Sequence, residues 1–388
     1  MMEKLRFKNS HGEYSEIKSA YLGEVAQIKT GDLNVQDSSV NGAYPFFDRS
    51  VDIKRLDVYS YDKEAIIYPG EGSEFYPRLY RGKFALHQRA YAIFDFNADV
   101  NLDYIYQYLK TKNKHFLTTA VGSTVKSLRM DCFEKCEIKL PEYNEQEKIG
   151  GFLSSFDELI QKQQEKIGLL KELKKGYLQQ MFPVKGSNIP KIRFKGFTEA
   201  WEQRKVSEIT SFHKQGYYTT ESYSDTKKYY LLRGTDFSQN SLILKDTPKI
   251  DASEKDYQAF KVEIGDFLIV RSGTVGTYGI VYDDIPAIFG SYLINFRFDQ
   301  SIVMNEFFGL FYQSHLFRSQ LSKIIQQSAN TNINAENIKS TSIQLPLLQE
   351  QRKISIFLES IDKLITLHQH KLEKLEEMKK GYMQRLFI

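Results

Sequence analysis

The chain has 388 residues, 41% hydrophobic and 26% charged, ordinary values that exclude a collagen-like or wholly disordered protein. The longest apolar runs are short pieces such as Phe307–Tyr312, far from the ~20 residues that span a bilayer, and Met1-Met2-Glu3-Lys4 offers no apolar signal core. Net charge is +4 and there are two cysteines, Cys132 and Cys136, so neither a strongly basic nucleic-acid tail nor a disulfide framework is present, and a reducing cytoplasm without membrane attachment is the expectation.

In chain order, residues 1–143 read as a mixed α/β block. Ala65-Ile66-Ile67-Tyr68 and Tyr91-Ala92-Ile93-Phe94 have strand composition, a short helix is predicted at about 101–112, and Ser127 is a candidate N-cap. A long helix is predicted over 144–182. A second block, 183–347, has strand composition at 268–270, 278–282 and 293–298, a helix at 304–325, and a following capped segment with Asn334 as its candidate N-cap. A second long helix is predicted over 348–388.

An internal repeat organises these elements. Residues 145–182 and 350–387 are identical at 20 of 38 positions. A weaker repeat relates Leu5-Arg6-Phe7-Lys8 to Ile192-Arg193-Phe194-Lys195. Apolar positions in both long segments alternate at spacings of four and three, which is a heptad seam. The first seam includes Ile149, Leu153, Phe156, Ile160, Gln163, Ile167, Leu170, Lys174, Tyr177 and Met181. The second includes Ile354, Leu358, Ile361, Ile365, His368, Leu372, Leu375, Lys379, Tyr382 and Leu386. Each helix would be about 55 Å long and needs a partner for its stripe. An antiparallel pair in which Gln163 meets His368 places Phe156 opposite Leu375, Ile167 opposite Leu364 and Leu170 opposite Ile361. The competing reading leaves Gln163 and His368 at the seam edge. Gly176 and Gly381 stand near the helix ends, either for close approach of another backbone or through fraying.

These residues resemble the DNA-specificity (S) subunit of type I restriction-modification systems. The resemblance is carried by Leu-Pro…Glu-Gln at 140–146 and 345–351, by the long helices, and by the Lys-Lys-Gly-Tyr-x-x-Gln exit at 174–180, matched by Lys-Lys-Gly-Tyr at 379–382 and Gln384. Arg193-Phe194-Lys195-Gly196-Phe197 with Trp201-Glu202 also looks like the start of a second recognition domain. The resemblance implies an α+β architecture with an internal pseudo-two-fold repeat: two mixed α/β target-recognition domains, 1–143 and 183–347, separated by antiparallel helices that form a coiled-coil spacer. It implies that each domain reads half of a bipartite, asymmetric site on double-stranded DNA. Two modification subunits would dock on the chain and methylate adenine with S-adenosylmethionine. Restriction subunits carrying the ATP- and Mg-dependent motor-nuclease would join them. The chain itself would hold no cofactor and carry no chemistry.

The residue-level reading agrees. There is no adjacent proline pair for an amino-methyltransferase loop, no G-x-x-x-x-G-K-[ST] and no H-E-x-x-H. A nuclease reading would rest on Asp131 with Glu137-Ile138-Lys139, a common combination. Cys132 and Cys136 lack a second ligand pair and read as small buried thiols.

The blocks are nearly neutral, with 20 basic and 20 acidic groups in 1–144 and 18 and 17 in 186–344, so DNA contact must come from local patches or need partners. In the second block Arg271-Ser272-Gly273-Thr274-Val275-Gly276-Thr277 follows a strand and offers backbone amides and a guanidinium, and it is equally an ordinary hairpin turn. Its candidate contacts are Arg271, Ser272, Thr274 and Thr277, with Lys214, Tyr217, Tyr218 and Arg233 as a second cluster. The first block has Tyr68-Pro69-Gly70-Glu71-Gly72-Ser73 at that place, without the arginine, and its candidates are Arg78, Arg81 and Arg89. The rival reading is a coiled-coil scaffold whose globular domains bind proteins.

Overall fold

The computed structural model describes residues 5–8, 12–34, 36, 39, 41–50, 52–184, 186–238, 241–271, 277–326 and 333–387. The chain forms two compact units, Met1–Glu165 with Gln369–Ile388, and Lys166–His368. The division cuts through both long helices, Tyr143–Gln180 and Leu348–Leu386. Each unit therefore holds one variable block, the start of the helix that follows it, and the end of the other helix.

In the first unit a six-stranded sheet runs in the order Gln27–Thr30, Ala90–Phe94, Tyr61–Pro69, Arg78–Leu86, Tyr44–Phe47 and Lys54–Leu56. The pairing of Tyr44–Phe47 with Arg78–Leu86 is parallel, through Phe46 with Ala85 and Phe47 with Leu86. The second unit repeats this plan with Thr210–Gln215, Leu293–Phe298, Phe267–Val270 and Tyr278–Ile280 in sequence across a sheet. The one long strand Arg78–Leu86 is there replaced by two short ones, Tyr278–Ile280 and Ala287–Phe289. The second of these takes Tyr229–Leu232 in the same parallel register. Buried Ile66, Tyr68, Ile93, Phe116, Phe133 and Leu153 make one continuous core between sheet and helices in the first unit.

The repeated Glu-Gln pair has a structural reason in both copies. Glu145 takes Arg6 Nε and Nη2 at 2.7 and 2.6 Å, and Glu350 takes Arg193 Nε and Nη2 at 2.9 and 2.7 Å. Burial pushes the Glu145 carboxyl up, but Arg6, the Ser15 hydroxyl and the Phe7 N–H outweigh it and hold it below the usual range. Gln146 Oε1 accepts from Asn101 N–H while its Nε2 donates to the Asp99 and Pro141 carbonyls. Gln351 does the same with Met304 N–H and the Ile302 and Pro346 carbonyls. One glutamine thus ties strand exit, helix start and long helix together. The arginines of the weaker repeat are therefore the ion-pair partners of the glutamates in the stronger one, 139 and 157 residues further along the chain.

The helix exits are equally paired. Phe387, after the second long helix, packs edge-on against Tyr104 and Tyr108 of the first unit's helix Leu102–Lys110. Phe182, after the first long helix, stacks on Phe307 and meets Trp201 in the second unit. Leu5 N–H bonds to Arg385 O and Ile192 N–H to Gln180 O, both at 3.0 Å. Each helix therefore ends by closing the core of the block that it does not follow.

Within each unit the two helix segments run antiparallel. Tyr382 meets Phe152 and Phe156 at 4.9 and 5.6 Å between ring centroids, and Asp157 pairs with Lys379. Their equivalents are Tyr177 on Phe357 at 4.8 Å and Lys174 with Asp362 at 2.7 Å. The ring of Phe156 thus meets Tyr382, two helical turns beyond the expected Leu375. Phe156, Gln163, Ile167, Ile361 and Ile365 are buried along the predicted stripe, and Ile160, Leu170, His368 and Leu375 are half-buried. Leu364, expected opposite Ile167, is instead 44% exposed, because one residue before buried Ile365 is a 100° rotation around the helix.

Three local expectations are corrected. The helix expected at about 101–112 is present as Leu102–Lys110, with a separate helix Asn113–Thr119 after it, whereas the one expected at 304–325 is broken into Asn305–Gln313 and His315–Gln326. Asn334 does cap Ala335–Lys339, accepting from Asn337 N–H, but Ser127 lies in the short strand Lys126–Ser127 and Arg129 precedes the helix Met130–Glu134. Gly176 and Gly381 lie inside continuous helix, and a Cβ at either would have no neighbour within 4 Å, so close backbone approach is not their reason among the described residues. Cys132 and Cys136 are buried, and burial pushes the Cys136 thiol up to about 11.

Candidate nucleic-acid interface

At one end of each sheet four segments converge on the same backbone framework. In the first unit they are the end of strand Tyr44–Phe47, the end of Tyr61–Pro69, the turn His87-Gln88-Arg89, and the stretch after Gln27–Thr30. His87 N–H bonds to Phe47 O at 2.9 Å, Gly70 N–H to Arg89 O at 2.8 Å, Ala90 N–H to His87 O at 2.9 Å and Leu33 N–H to Leu86 O at 3.4 Å. In the second unit Gly290 N–H bonds to Leu232 O at 3.0 Å, Arg271 N–H to Tyr292 O at 2.9 Å, Leu293 N–H to Gly290 O at 2.9 Å and Tyr217 N–H to Phe289 O at 2.8 Å. Four bonds correspond one to one, although the side chains differ at nearly every position.

The first corner is built around charge. Arg89 Nη1 holds Glu71 at 2.7 Å and Arg49 reaches the same carboxylate at 3.5 Å. Both guanidiniums are well exposed, at 64% and 69%, while Glu71 is 15% exposed behind them. Gln88 is exposed and donates to Asn34 at 2.8 Å. Burial, opposed by Asp48 but reinforced by Arg89, holds the His87 imidazole below its usual value, so it is neutral at pH 7. Arg78 lies beside this corner, donating to Ser50 O at 2.7 Å.

The second corner is richer in aromatics. Tyr292 in the equivalent turn is 69% exposed and Tyr218 is 75% exposed. Tyr217 is half-buried against Phe260, with ring centroids 5.2 Å apart. Arg233 is held by Asp236 through Nε and Nη2 at 3.3 and 3.0 Å, and Arg271 reaches the Ser291 and Ile333 carbonyls at 3.4 and 3.3 Å. Thr277 follows in half-exposed position. Ser272 and Thr274, with Gly273, Val275 and Gly276, lie outside the described residues.

Of the sequence-predicted residues, the corners gather Arg78 and Arg89 in one unit and Tyr217, Tyr218, Arg233, Arg271 and Thr277 in the other. Two stand apart. Arg81 is committed to Asp103 through two bonds and to Glu64. Lys214 donates to Ala259 O at 2.8 Å and lies 3.9 Å from the Phe260 ring, which makes it a packing residue. Sequence reasoning missed Arg49, Gln88 and Tyr292. A two-residue polar turn between apolar strands was the available signal for the last two.

A surface of this kind can present forks and amides to base edges and phosphates and aromatic faces to stacking partners. Among the described residues there is no cluster of three or more metal-ligating side chains, and no helix is long and apolar enough to cross a membrane.

Comparison with known proteins agrees with the doubled layout. The family model described as type I restriction modification DNA specificity domain matches residues 14–175 and again 198–377. The type I restriction enzyme MjaVIII specificity subunit of Methanocaldococcus jannaschii is 26% identical over 295 residues, 73% of this chain and 68% of that protein. The Escherichia coli EcoDI specificity subunit is 29% identical over 132 residues, 34% of this chain and 29% of that protein. The crystal structure of the S subunit from M. genitalium shares the fold at a TM-score of 0.70 and 18% identity, covering 100% of this chain and 99% of that one. With the family model matching twice across most of the chain, this protein belongs to the type I restriction-modification DNA-specificity family, whose members are non-catalytic specificity subunits.

Proposed function

We propose that each unit reads one half of a bipartite, asymmetric site on double-stranded DNA, using the corner at the end of its sheet. The observation that carries this reading is the shared backbone with unlike side chains: two half-sites of different sequence need different contacts on equivalent platforms. Arg78, Arg89, Tyr217, Tyr218, Arg233, Arg271 and Thr277 are the contacts retained from the sequence, with Arg49 added. The blocks at 1–143 and 183–347 are the recognition domains, and the long helices over 144–182 and 348–388 set half-site spacing. Two modification subunits docked on this chain would methylate adenine from S-adenosylmethionine, and restriction subunits would add ATP- and Mg-dependent cleavage, all in the cytoplasm.

The function itself is tested by methylome sequencing of cells with and without this chain. Loss of one bipartite methyladenine motif is expected, and an unchanged methylome would favour the protein-binding scaffold.

A further inference from the structure

We propose that Arg89 and Arg271 are equivalent base-reading residues, one per unit, each gripping the edge of a guanine in its own half-site beside the turn side chain Gln88 or Tyr292. The proposal rests on the half-site reading above and narrows it to specific positions.

The two corners differ in which segment carries a guanidinium. In the first unit Gly70 stands at the strand end, and its N–H bonds to Arg89 O. A Cβ at position 70 would lie 2.1 Å from that oxygen, so no side chain can stand there. The guanidinium comes instead from the turn after Arg78–Leu86. In the second unit the equivalent bond runs from Arg271 N–H to Tyr292 O. Here the strand end carries the guanidinium and the turn carries a tyrosine. The two corners have exchanged which segment supplies the arginine, and each keeps one at the junction of the same two segments.

The other cations do not show this relation. Arg233 is clasped by Asp236, and its first-unit counterpart after the parallel strand is Asp48, which pairs with Lys54 at 2.6 Å. Arg81 is held by two acids on an outward strand face. Arg89, by contrast, is tethered through Nη1 to a carboxylate set behind it, and Arg271 is tethered to two backbone carbonyls. Such tethers orient a planar fork without neutralising its outward edge, and the four backbone bonds of each corner hold its root in place.

The chemistry at the edge then differs between units. A guanidinium matches the paired O6 and N7 acceptors of guanine in the major groove, and the amide of Gln88 matches adenine N6 and N7. Tyr292 offers a hydroxyl and an aromatic face beside Arg271. The first half-site is therefore read by an arginine and an amide, the second by an arginine and a phenol.

The test uses the full chain, co-expressed with its modification subunit, and reads the methylated motif by sequencing. Arg89→Ala should relax one base pair in one half of the motif, and Arg271→Ala one base pair in the other, with discrimination there falling roughly 5- to 150-fold. Arg89→Lys and Arg271→Lys keep the charge but lose the fork, and should relax the same base pairs; they serve where an alanine variant fails to copurify. A motif unchanged in both halves overturns the proposal. So does a uniform fall in methylation with the motif intact, which is the behaviour of a phosphate contact. Both results leave half-site reading standing. Deletion of the whole chain without loss of any methyladenine motif would instead remove half-site reading itself, and this proposal with it.

Discussion

Lys379 Nζ lies 2.5 Å from Asp157 Oδ1 in the first unit, and the equivalent pair in the second, Lys174 with Asp362, lies 2.7 Å apart. The two nodes differ in their third member. Asp157 also takes Lys110 at 3.0 Å, whereas Lys174 donates to Gln313 at 3.3 Å. Burial pushes the Asp157 carboxyl up, but Lys110, Gln107 and Lys379 together hold it below its usual range. Lys379 shares that one carboxylate with a second cation. Burial first and Lys110 next lower it to about 8, against the pull of Asp157.

That asymmetry predicts a pH dependence. Between about pH 8 and the ordinary lysine value, the unfolded chain holds a proton that folded Lys379 has released, so stability rises with pH across this window. The gain should be roughly 1–3 kcal/mol. Lys110→Gln, copying Gln313, should shrink it. Denaturant melts at pH 7.5 and 9.5 measure both proteins, and an equal gain in the two would reject the role given to Lys110.

The buried ion pair of Arg6 with Glu145 predicts strong coupling. Removing either partner strands a buried charge, at a cost of about 3–5 kcal/mol. Arg6→Met with Glu145→Met should cost well under the sum of the single changes. A double-mutant cycle in guanidinium checks this, as does the same cycle on Arg193 and Glu350; additive costs would contradict the coupling.

Helix exits predict where damage is felt. Phe182 is buried, and Phe182→Ala should cost about 3–5 kcal/mol. Hydrogen exchange should accelerate in helix Asn305–Gln313 of the second unit, not in the block that precedes Phe182 in sequence. Half-buried Phe387→Ala should cost less and loosen Leu102–Lys110. Loosening confined to 143–165 in the first case would refute the crossed closure.

The bond from Leu5 N–H to Arg385 O places the chain's beginning beside the end of its last helix in the same way that Ile192 lies beside Gln180. A circular permutant that links 387 to 5 through a short flexible segment and opens the chain between 184 and 190 should fold. Its melting temperature should lie within about 2–4 °C of the parent, the shift that ~1 kcal/mol gives a unit of 150–250 residues. Failure to accumulate as a folded protein would argue against equivalence of the two junctions.

Much of this architecture was written in repetition. Identity between 145–182 and 350–387 exposed the long helices, and most of their seam residues are buried or half-buried where a heptad puts them. The strands at 65–68, 91–94, 268–270 and 293–298 stood out through β-branched and aromatic composition. Lys18–Tyr21, Gln27–Thr30 and Glu202–Lys205 did not, because edge strands of four polar-rich residues carry no periodic signal. Nor did the corners. Arg89 and Tyr292 share no sequence neighbourhood, and their equivalence lies in backbone bonds to residues far along the chain. Arg81 and Lys214 look like free cations until the acids and carbonyls around them are in place.

The crossed ends of the long helices set an order on synthesis. The block made first is sealed by Phe387 and Leu386, which are made only after the second block. A chain halted after its first helix therefore has an open hydrophobic socket and lacks the segment that closes it. Only a polypeptide translated through its second long helix can complete the cores of both units.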